Sequence, residues 1–230
     1  MKSSLFQRFC DHGWLTLNYL LGAVMLCALV WNWGEWDMPR RLVCMLAIAI
    51  PIHNFEEYTY PGGFFFMNNV SMFSKDPLRY PQITVNTMIT NTGTELYLVA
   101  LTFLAPPAWL PLAIMVLVFG FAETFVHIVD SVVMNLRYRG LGKTSFYTPG
   151  LGTCLYLLSP LSVFALHWLA GQQVVGSDIG CGVALVAVVI ACFIGLPFGI
   201  AMKFHPEKYA MRPELGYFEK YEMLLRARKG

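Results

Sequence analysis

The stretch PLAIMVLVFGFAETFVHIVD, residues 111–130, is long enough and apolar enough to cross a lipid bilayer as a helix. A helix needs about 20 predominantly apolar residues to cross the hydrocarbon core. Glu123, His127 and Asp130 nevertheless lie within this stretch. A charged side chain at the centre of a membrane helix costs roughly 2.5–3.5 kcal/mol, so such residues normally face a partner or a water-filled cavity. The stretch therefore predicts a membrane helix with a polar site on one face.

The rest of the chain has the same apolar character. Of its 230 residues, 57% are hydrophobic and 13% are charged, whereas roughly 25% are charged in an ordinary soluble domain. Six segments are long enough to span a membrane: 13–33, 41–58, 84–104, 108–136, 149–170 and 179–202. We expect an all-α, polytopic transmembrane bundle of about six helices over residues 1–202. Residues 203–230 are expected to form a cytoplasmic, amphipathic tail at the membrane interface.

The basic residues are divided unevenly between the two ends of the predicted bundle. With six spans, 14 of the 16 Lys and Arg residues share a side with both termini, and the other two are Arg40 and Arg41. Short cytoplasmic loops carry the excess of Lys and Arg, so both termini are predicted to be cytoplasmic in a multi-pass protein of a bacterial inner membrane. Because the Lys and Arg residues are spread over the loops as this rule expects, we do not predict a nucleic-acid partner. We predict contact with membrane lipid.

Seven ionisable residues lie inside the second, third and fourth predicted spans, and no Lys or Arg lies among them. They are His53, Glu56, Glu57, Glu95, Glu123, His127 and Asp130. Residues three and four apart share a helix face, so each span presents one polar face, with Asn91 supporting the third. Two imidazoles and several carboxylates suit iron, manganese or zinc, and such motifs on facing helices build two-metal centres. We therefore predict that these seven residues bind one metal ion or two.

Three short motifs resemble those of a known family. The segment IHNFEEY, residues 52–58, looks like the signature of the HXXEE family of small membrane proteins, and YTPGLGT, residues 147–153, resembles its element Y-x-P-G-x-x-T. The family's third element is N-x-x-x-H, and the matching stretch is ETFVH, so Glu123 stands where the family has asparagine. The resemblance implies a membrane protein with suspected enzymatic activity, without a substrate or a reaction.

The second motif also has a physical interpretation. Pro149 suits the first turn of a helix, where its missing N–H is not needed. The fifth span is therefore expected to begin at the cytoplasmic face, which would bring the Tyr147 hydroxyl to the mouth of the site. We predict Glu57 and Tyr147 as catalytic residues, with Thr153 in a supporting role.

Two other features carry expectations of their own. The loop 59–83 contains PGGFFFM, residues 61–67, and an exposed apolar run usually marks a binding or membrane surface. We expect either an interfacial lid that admits an apolar substrate or simple contact with the membrane. The six cysteines show no C-x-x-C spacing, so they are expected to act as small hydrophobic residues.

Three classes of function fit these patterns. The first is a metal-dependent membrane enzyme, a hydrolase or an oxidoreductase, that acts on a hydrophobic or amphipathic small molecule. The second is a proton-coupled transporter that uses the same acids as a relay, and the third is a noncatalytic assembly or sensor module. The ionisable residues cluster in the cytoplasmic half, which disfavours a relay, and so many buried acids would be costly in a scaffold. We favour the enzyme, with the transporter as the alternative.

Overall fold

The computed structural model describes residues 4–204, 209–210 and 215–228, which form an all-α fold without a β-strand. Its eight helices are α1 (Leu5–Trp31), α2 (Met38–Tyr58), α3 (Phe64–Ser71), α4 (Thr84–Leu104), α5 (Pro111–Tyr138), α6 (Leu151–Leu169), α7 (Gly176–Phe204) and α8 (Glu219–Ala227). The all-α prediction is confirmed. Predictions about residues 205–208, 211–214 and 229–230 lie outside the described part of the chain.

Four of the helices, α1, α5, α6 and α7, are long and apolar enough to cross a membrane. They indicate an integral membrane protein. Helices α2 and α4 have 21 residues each, and they carry the polar faces predicted above. The count of six spans and the sides of the two termini stay predictions.

Local sequence signals explain two helix starts and one close contact between helices. The Asp37 carboxylate accepts a hydrogen bond of 3.0 Å from the Arg40 backbone N–H at the start of α2, as an N-cap residue does. Pro111 occupies the first turn of α5. Gly22 lets α1 approach α2, because an added Cβ there would lie 2.8 Å from Cγ of Pro51.

The apolar core lies along α2 and α5. Helix α2 packs against α1, α4 and α5, and α5 also packs against α6 and α7. Fully buried side chains at these contacts include Leu42, Leu46, Leu112, Met115 and Leu158. The two central helices are therefore held on several sides, and they are the helices that carry both predicted histidines.

A second cluster of buried hydrophobic side chains lies at one end of the bundle. The loop 59–83 forms α3 here, and Phe65 and Phe66 are only 3% and 1% exposed, so they are core residues and do not form the expected lid surface. Phe218 and Tyr221 of the tail pack into the same cluster instead of facing lipid. The tail is also tied by Glu222, whose carboxylate accepts hydrogen bonds from Arg137 at 2.8 Å and from the Tyr138 hydroxyl at 2.5 Å.

Candidate metal centre

The last two turns of α2 and the second half of α5 bring two histidines to one glutamate. Oε1 of Glu57 lies 3.3 Å from Nε2 of His53 and 3.2 Å from Nε2 of His127. The two imidazole rings are nearly perpendicular, at 86°, with their centres 4.9 Å apart. All three side chains are buried. Three residues that the spacing assigned to polar faces therefore meet at one point inside the bundle.

The thiol of Cys154 lies close to both histidines. His53, His127 and Cys154 each offer one ligand atom that lies within 4.8 Å of the other two, so the group is able to hold a metal ion. Cys154 lies one residue after the Y-x-P-G-x-x-T motif, in the first turns of α6. We expected it to act as a small hydrophobic residue. Its position directly after the motif was the signal that sequence reasoning missed.

The hydrogen bonds of Thr153 define the tautomer of His53. Oγ1 of Thr153 lies 2.6 Å from Oε2 of Glu56 and 3.1 Å from the Gly150 carbonyl oxygen. Both atoms are acceptors, so the single hydroxyl hydrogen of Thr153 points toward them and not toward His53. The same Oγ1 lies 2.7 Å from Nδ1 of His53. Nδ1 must therefore donate to Thr153, which leaves the lone pair of a neutral imidazole on Nε2. That atom faces Glu57, and a metal-binding histidine is commonly held in this way.

Glu56 joins α2 to the start of α6. Its carboxylate accepts hydrogen bonds from the Tyr147 hydroxyl at 2.8 Å and from the backbone N–H groups of Gly152 and Thr153 at 3.1 and 2.7 Å. The Thr153 hydroxyl supplies a fourth. An anion is favoured at a helix N-terminus, where N–H groups are unpaired. The structure thus places Glu56 beside the centre as a positioning group for α6.

Gly150 and Gly152 of the YTPGLGT motif allow side chains of the other two motifs, His127 and Glu56, to approach closely. Gly150 has φ +90°, and an added Cβ would lie 2.1 Å from Cε1 of His127. At Gly152 an added Cβ would lie 2.8 Å from Oε1 of Glu56. Helix α6 begins at Leu151, so Pro149 precedes the first turn and does not lie in it as expected. The left-handed conformation of Gly150 explains this shift of the helix start.

The predicted catalytic Tyr147 lies outside the helices, at the rim of the centre. Burial and the neighbouring Glu56 carboxylate raise the pKa of the Tyr147 hydroxyl, so this hydroxyl stays protonated and donates to Glu56. The Tyr147 ring also packs edge-on against Tyr217 of the tail, with ring centres 5.3 Å apart. Its hydrogen bond makes Tyr147 a partner of Glu56, and two residues, Glu56 and Thr153, link it to His53.

An interhelical cavity of about 210 Å³ opens onto the centre from between α2, α4, α5 and α7. Its polar lining includes His53, Glu57, Tyr58, Asn91, Thr94 and Glu123, and its apolar lining includes Phe119, Val126, Val189, Ile194 and Phe198. Glu123 therefore faces the same space as two of the proposed ligands. Phe64 of α3 also lines this cavity, and its ring centre lies 5.3 Å from that of His127.

A second, smaller space reaches the centre from the end of the bundle. This end pocket has a volume of about 130 Å³ and lies where α1 begins and α2 ends. Its lining includes Cys10, His12, Trp14, Gly62 and Thr87. Glu57 and Tyr58 line both the end pocket and the interhelical cavity. Spacing alone did not single out Tyr58, although it directly follows the H-x-x-E-E motif.

The remaining predicted ligands lie buried away from these contacts. Glu95 is fully buried on α4, and neither carboxylate oxygen has a hydrogen-bond partner within the described residues. Asp130 is buried one turn beyond His127, and its Oδ2 likewise lacks a partner there. The closest contacts of the centre are thus those of His53, Glu57, His127 and Cys154, with Glu123 across the adjoining cavity.

The fold and these contacts define a helical membrane protein with a buried histidine, carboxylate and thiol cluster at one end of its bundle. The sequence model of a family described as a protein of unknown function with HXXEE motif matches residues 44–165. This match covers more than half of the chain, which therefore belongs to the HXXEE family, as the motifs predicted. No curated protein and no solved structure gives a significant match.

Proposed function

We propose that this chain is a metal-dependent membrane enzyme in which His53, Glu57 and His127 bind one zinc ion. The distances from Oε1 of Glu57 to the two Nε2 atoms carry the proposal. A tetrahedral zinc ion with bonds of about 2.0–2.1 Å keeps its ligand atoms about 3.3–3.4 Å apart. The distances of 3.3 and 3.2 Å agree with two edges of such a tetrahedron.

The bonding of the buried groups supports a cation at this point. Nδ1 of His127 has no hydrogen-bond partner among the described residues, and Nε2 of the same ring faces Oε1 of Glu57 at 3.2 Å; a buried polar group left unpaired costs roughly 1–3 kcal/mol. Oε1 of Glu57 faces a histidine nitrogen on each side, and no Lys or Arg of the described residues forms a salt bridge with this carboxylate. A metal ion would satisfy the imidazole lone pairs and offset the carboxylate charge together.

The donor types favour zinc and a single ion. Two imidazoles and one carboxylate are shared by zinc hydrolases and by iron oxygenases, but the nearby thiol of Cys154 is a soft ligand that suits zinc. Glu56 is already engaged by four hydrogen bonds, which leaves its oxygens little capacity for a second ion. We therefore reduce the expected one or two ions to one.

Zinc at this position would act as a Lewis acid and lower the pKa of a water molecule to about 7, which suits hydrolysis. The residues around it have separate tasks. Thr153 orients His53 through Nδ1, and Glu56 holds Thr153 in place. Glu123 faces the cavity in which substrate would lie, and a carboxylate there is suited to accept a proton from the attacking water.

The cavity supports a substrate that is partly apolar. Val189, Ile194 and Phe198 of α7 line the cavity together with the polar side chains, and binding sites of this composition bury apolar ligand surface while a few polar groups set its orientation. We propose hydrolysis of a membrane lipid or another amphipathic small molecule.

Metal analysis of the purified protein tests this proposal. The protein is purified in mild detergent, and zinc, iron and manganese are measured per chain by mass spectrometry for wild type, His53→Ala and His127→Ala. We expect about one zinc ion per chain in wild type and strong loss in both variants. His167→Ala, a histidine in the last turn of α6, is the matched control and should keep its zinc.

Circular dichroism on the same samples separates metal loss from unfolding. A folded wild type without stoichiometric metal would overturn the enzyme proposal and make proton transfer by these carboxylates the leading function. Stoichiometric iron in place of zinc would retain a metalloenzyme but would replace hydrolysis with oxidation.

A further inference from the structure

We propose that Tyr58 is a substrate-contacting residue whose hydroxyl donates a hydrogen bond to an oxygen of an acyl amphiphile. This inference rests on the proposed function and specifies which part of the substrate is recognised. The apolar chain would occupy the interhelical cavity, and the oxygen-bearing group would lie beside Glu57 and Tyr58.

The position of Tyr58 sets it apart from the other hydroxyls near the centre. It is the last residue of α2 and directly follows Glu57. Both residues line the interhelical cavity and the end pocket, so they stand where the two spaces approach each other. A molecule with an apolar part on one side and a polar part on the other would place its connecting group at this point.

The hydrogen bonds of Tyr58 leave its own hydrogen free for a ligand. The Tyr58 oxygen accepts from Nδ2 of Asn91 at 3.4 Å and from Nε2 of Gln82 at 3.0 Å. Both partners are donors, and a phenol that accepts from two donors still has one hydrogen to give. No hydrogen bond among the described residues uses this hydrogen, so it is available to an acceptor on a bound molecule.

The orientation of both amide groups is set by their other contacts. Nδ2 of Asn91 also donates to the Thr87 carbonyl oxygen at 2.9 Å, and a carbonyl oxygen only accepts, so the amide nitrogen must face Tyr58. Oε1 of Gln82 accepts from Nδ2 of Asn68 at 2.9 Å, which turns Nε2 of Gln82 toward Tyr58.

Aromatic contacts hold the Tyr58 ring in place. Trp14 packs edge-on at 5.2 Å between ring centres, and Phe64 packs edge-on at 5.7 Å. The hydroxyl is thus preorganised by contacts from α1, α3 and α4. Donors held in advance of binding are the kind that stabilise developing charge on a substrate oxygen.

Binding of two hydroxamic acids to the zinc-loaded protein tests the proposal without knowledge of the natural substrate. Octanohydroxamic acid carries an acyl chain and a metal-binding oxygen pair, whereas acetohydroxamic acid carries the same pair with one methyl group. Dissociation constants are measured by calorimetry in detergent for wild type and Tyr58→Phe. We expect Tyr58→Phe to keep its zinc and to weaken both probes about tenfold, as loss of a hydrogen bond to a charged oxygen does.

Two further variants test the site of the acyl chain of the probe and the general effect of losing a phenol hydroxyl. Tyr97→Phe removes a hydroxyl that donates to the Leu185 carbonyl oxygen, away from both spaces, and should bind both probes as wild type does. Ile194→Trp narrows the interhelical cavity, so it should weaken binding of the octanoyl probe and leave binding of the acetyl probe unchanged.

The outcomes separate the two proposals. A wild type without bound metal overturns the proposed function and, with it, this inference. A zinc-loaded Tyr58→Phe that binds both probes with wild-type affinity overturns the role of Tyr58 alone. Loss of zinc from Tyr58→Phe also overturns that role, because the hydroxyl would then act on the metal centre and not on the ligand.

Discussion

At the scale of single residues, two adjacent acids have different environments. Glu57 faces the two histidines, whereas Glu56 accepts four hydrogen bonds from the segment that starts α6. Side chains of consecutive helix residues point about 100° apart, so these two carboxylates face different neighbours. The pair therefore divides into a ligand candidate and a positioning residue.

Replacing each acid by its amide should separate these roles. Glu56→Gln should keep its zinc but lower the free energy of unfolding by about 1.5–3 kcal/mol, because hydrogen bonds to a charged acceptor are lost. Glu57→Gln should lose zinc. Metal content and thermal unfolding of the same detergent samples check both statements, and zinc loss from Glu56→Gln alone would contradict the division.

Gly150 provides a second prediction at this scale. Gly150→Ala should displace His127 and abolish zinc binding, since its Cβ would lie 2.1 Å from Cε1 of that ring. Gly142→Ala is the matched control, because Gly142 has φ +85° with no atom within 4 Å of an added Cβ. It should lose stability from backbone strain and keep its zinc; equal metal loss in both variants would exclude the steric explanation.

At the scale of helices, the centre depends on how α6 starts and how the tail is held. The N-terminus of α6 is anchored on Glu56, and this anchor brings Cys154 toward the histidines. The tail helix α8 is held on α5 by the ion pair of Glu222 with Arg137 and by the buried ring of Phe218. Tyr217 then contacts Tyr147, so the tail supports the rim of the centre.

Loss of the Glu222 ion pair should release the tail. Glu222→Gln should be cleaved faster by trypsin at Arg226 and Arg228, because Arg137 and Tyr138 lose their charged acceptor. Glu219→Gln changes an exposed acid of the same helix and should be cleaved at the wild-type rate. Zinc content should be unchanged in both, and equal cleavage rates would show that packing alone holds the tail.

At the scale of the whole molecule, the centre lies near one end of the bundle and adjoins two spaces of different character. The interhelical cavity has an apolar wall from α7, and the end pocket lies beside the start of α1. This arrangement would let an amphipathic molecule approach from the membrane while its polar part stays near the end of the bundle.

The predicted orientation puts that end in the cytoplasm. A fluorescent protein fused after residue 230 should fold and fluoresce in bacterial cells, whereas alkaline phosphatase fused at the same place should be inactive. The same pair of reporters placed in the 170–178 loop should show the opposite result. Matching signals from both positions would contradict the six-span topology derived from the distribution of Lys and Arg.

Much of the fold and part of the centre followed from local patterns. Spacing put His53 beside Glu57 and placed His127 on a polar face of another span, but it made both Glu56 and Glu57 metal ligands. Cys154 has no C-x-x-C spacing, and only its place directly after the second motif pointed to it, because its proximity to the histidines depends on two other helices. The aromatic residues Phe218 and Tyr221 suited lipid contact and core packing equally well, since both environments favour the same side chains.

The sequence by itself determined the all-α class, the membrane character and the membership of the HXXEE family, because hydrophobic run length and short motifs are local properties of the chain. Only the tertiary structure decided which ionisable residues meet, which acid anchors α6, that Tyr58 lines the same cavity as His53, and that Cys154 lies close to both histidines. Those outcomes depend on the register and packing of helices that are far apart in the sequence, and a pattern within one helix does not specify either.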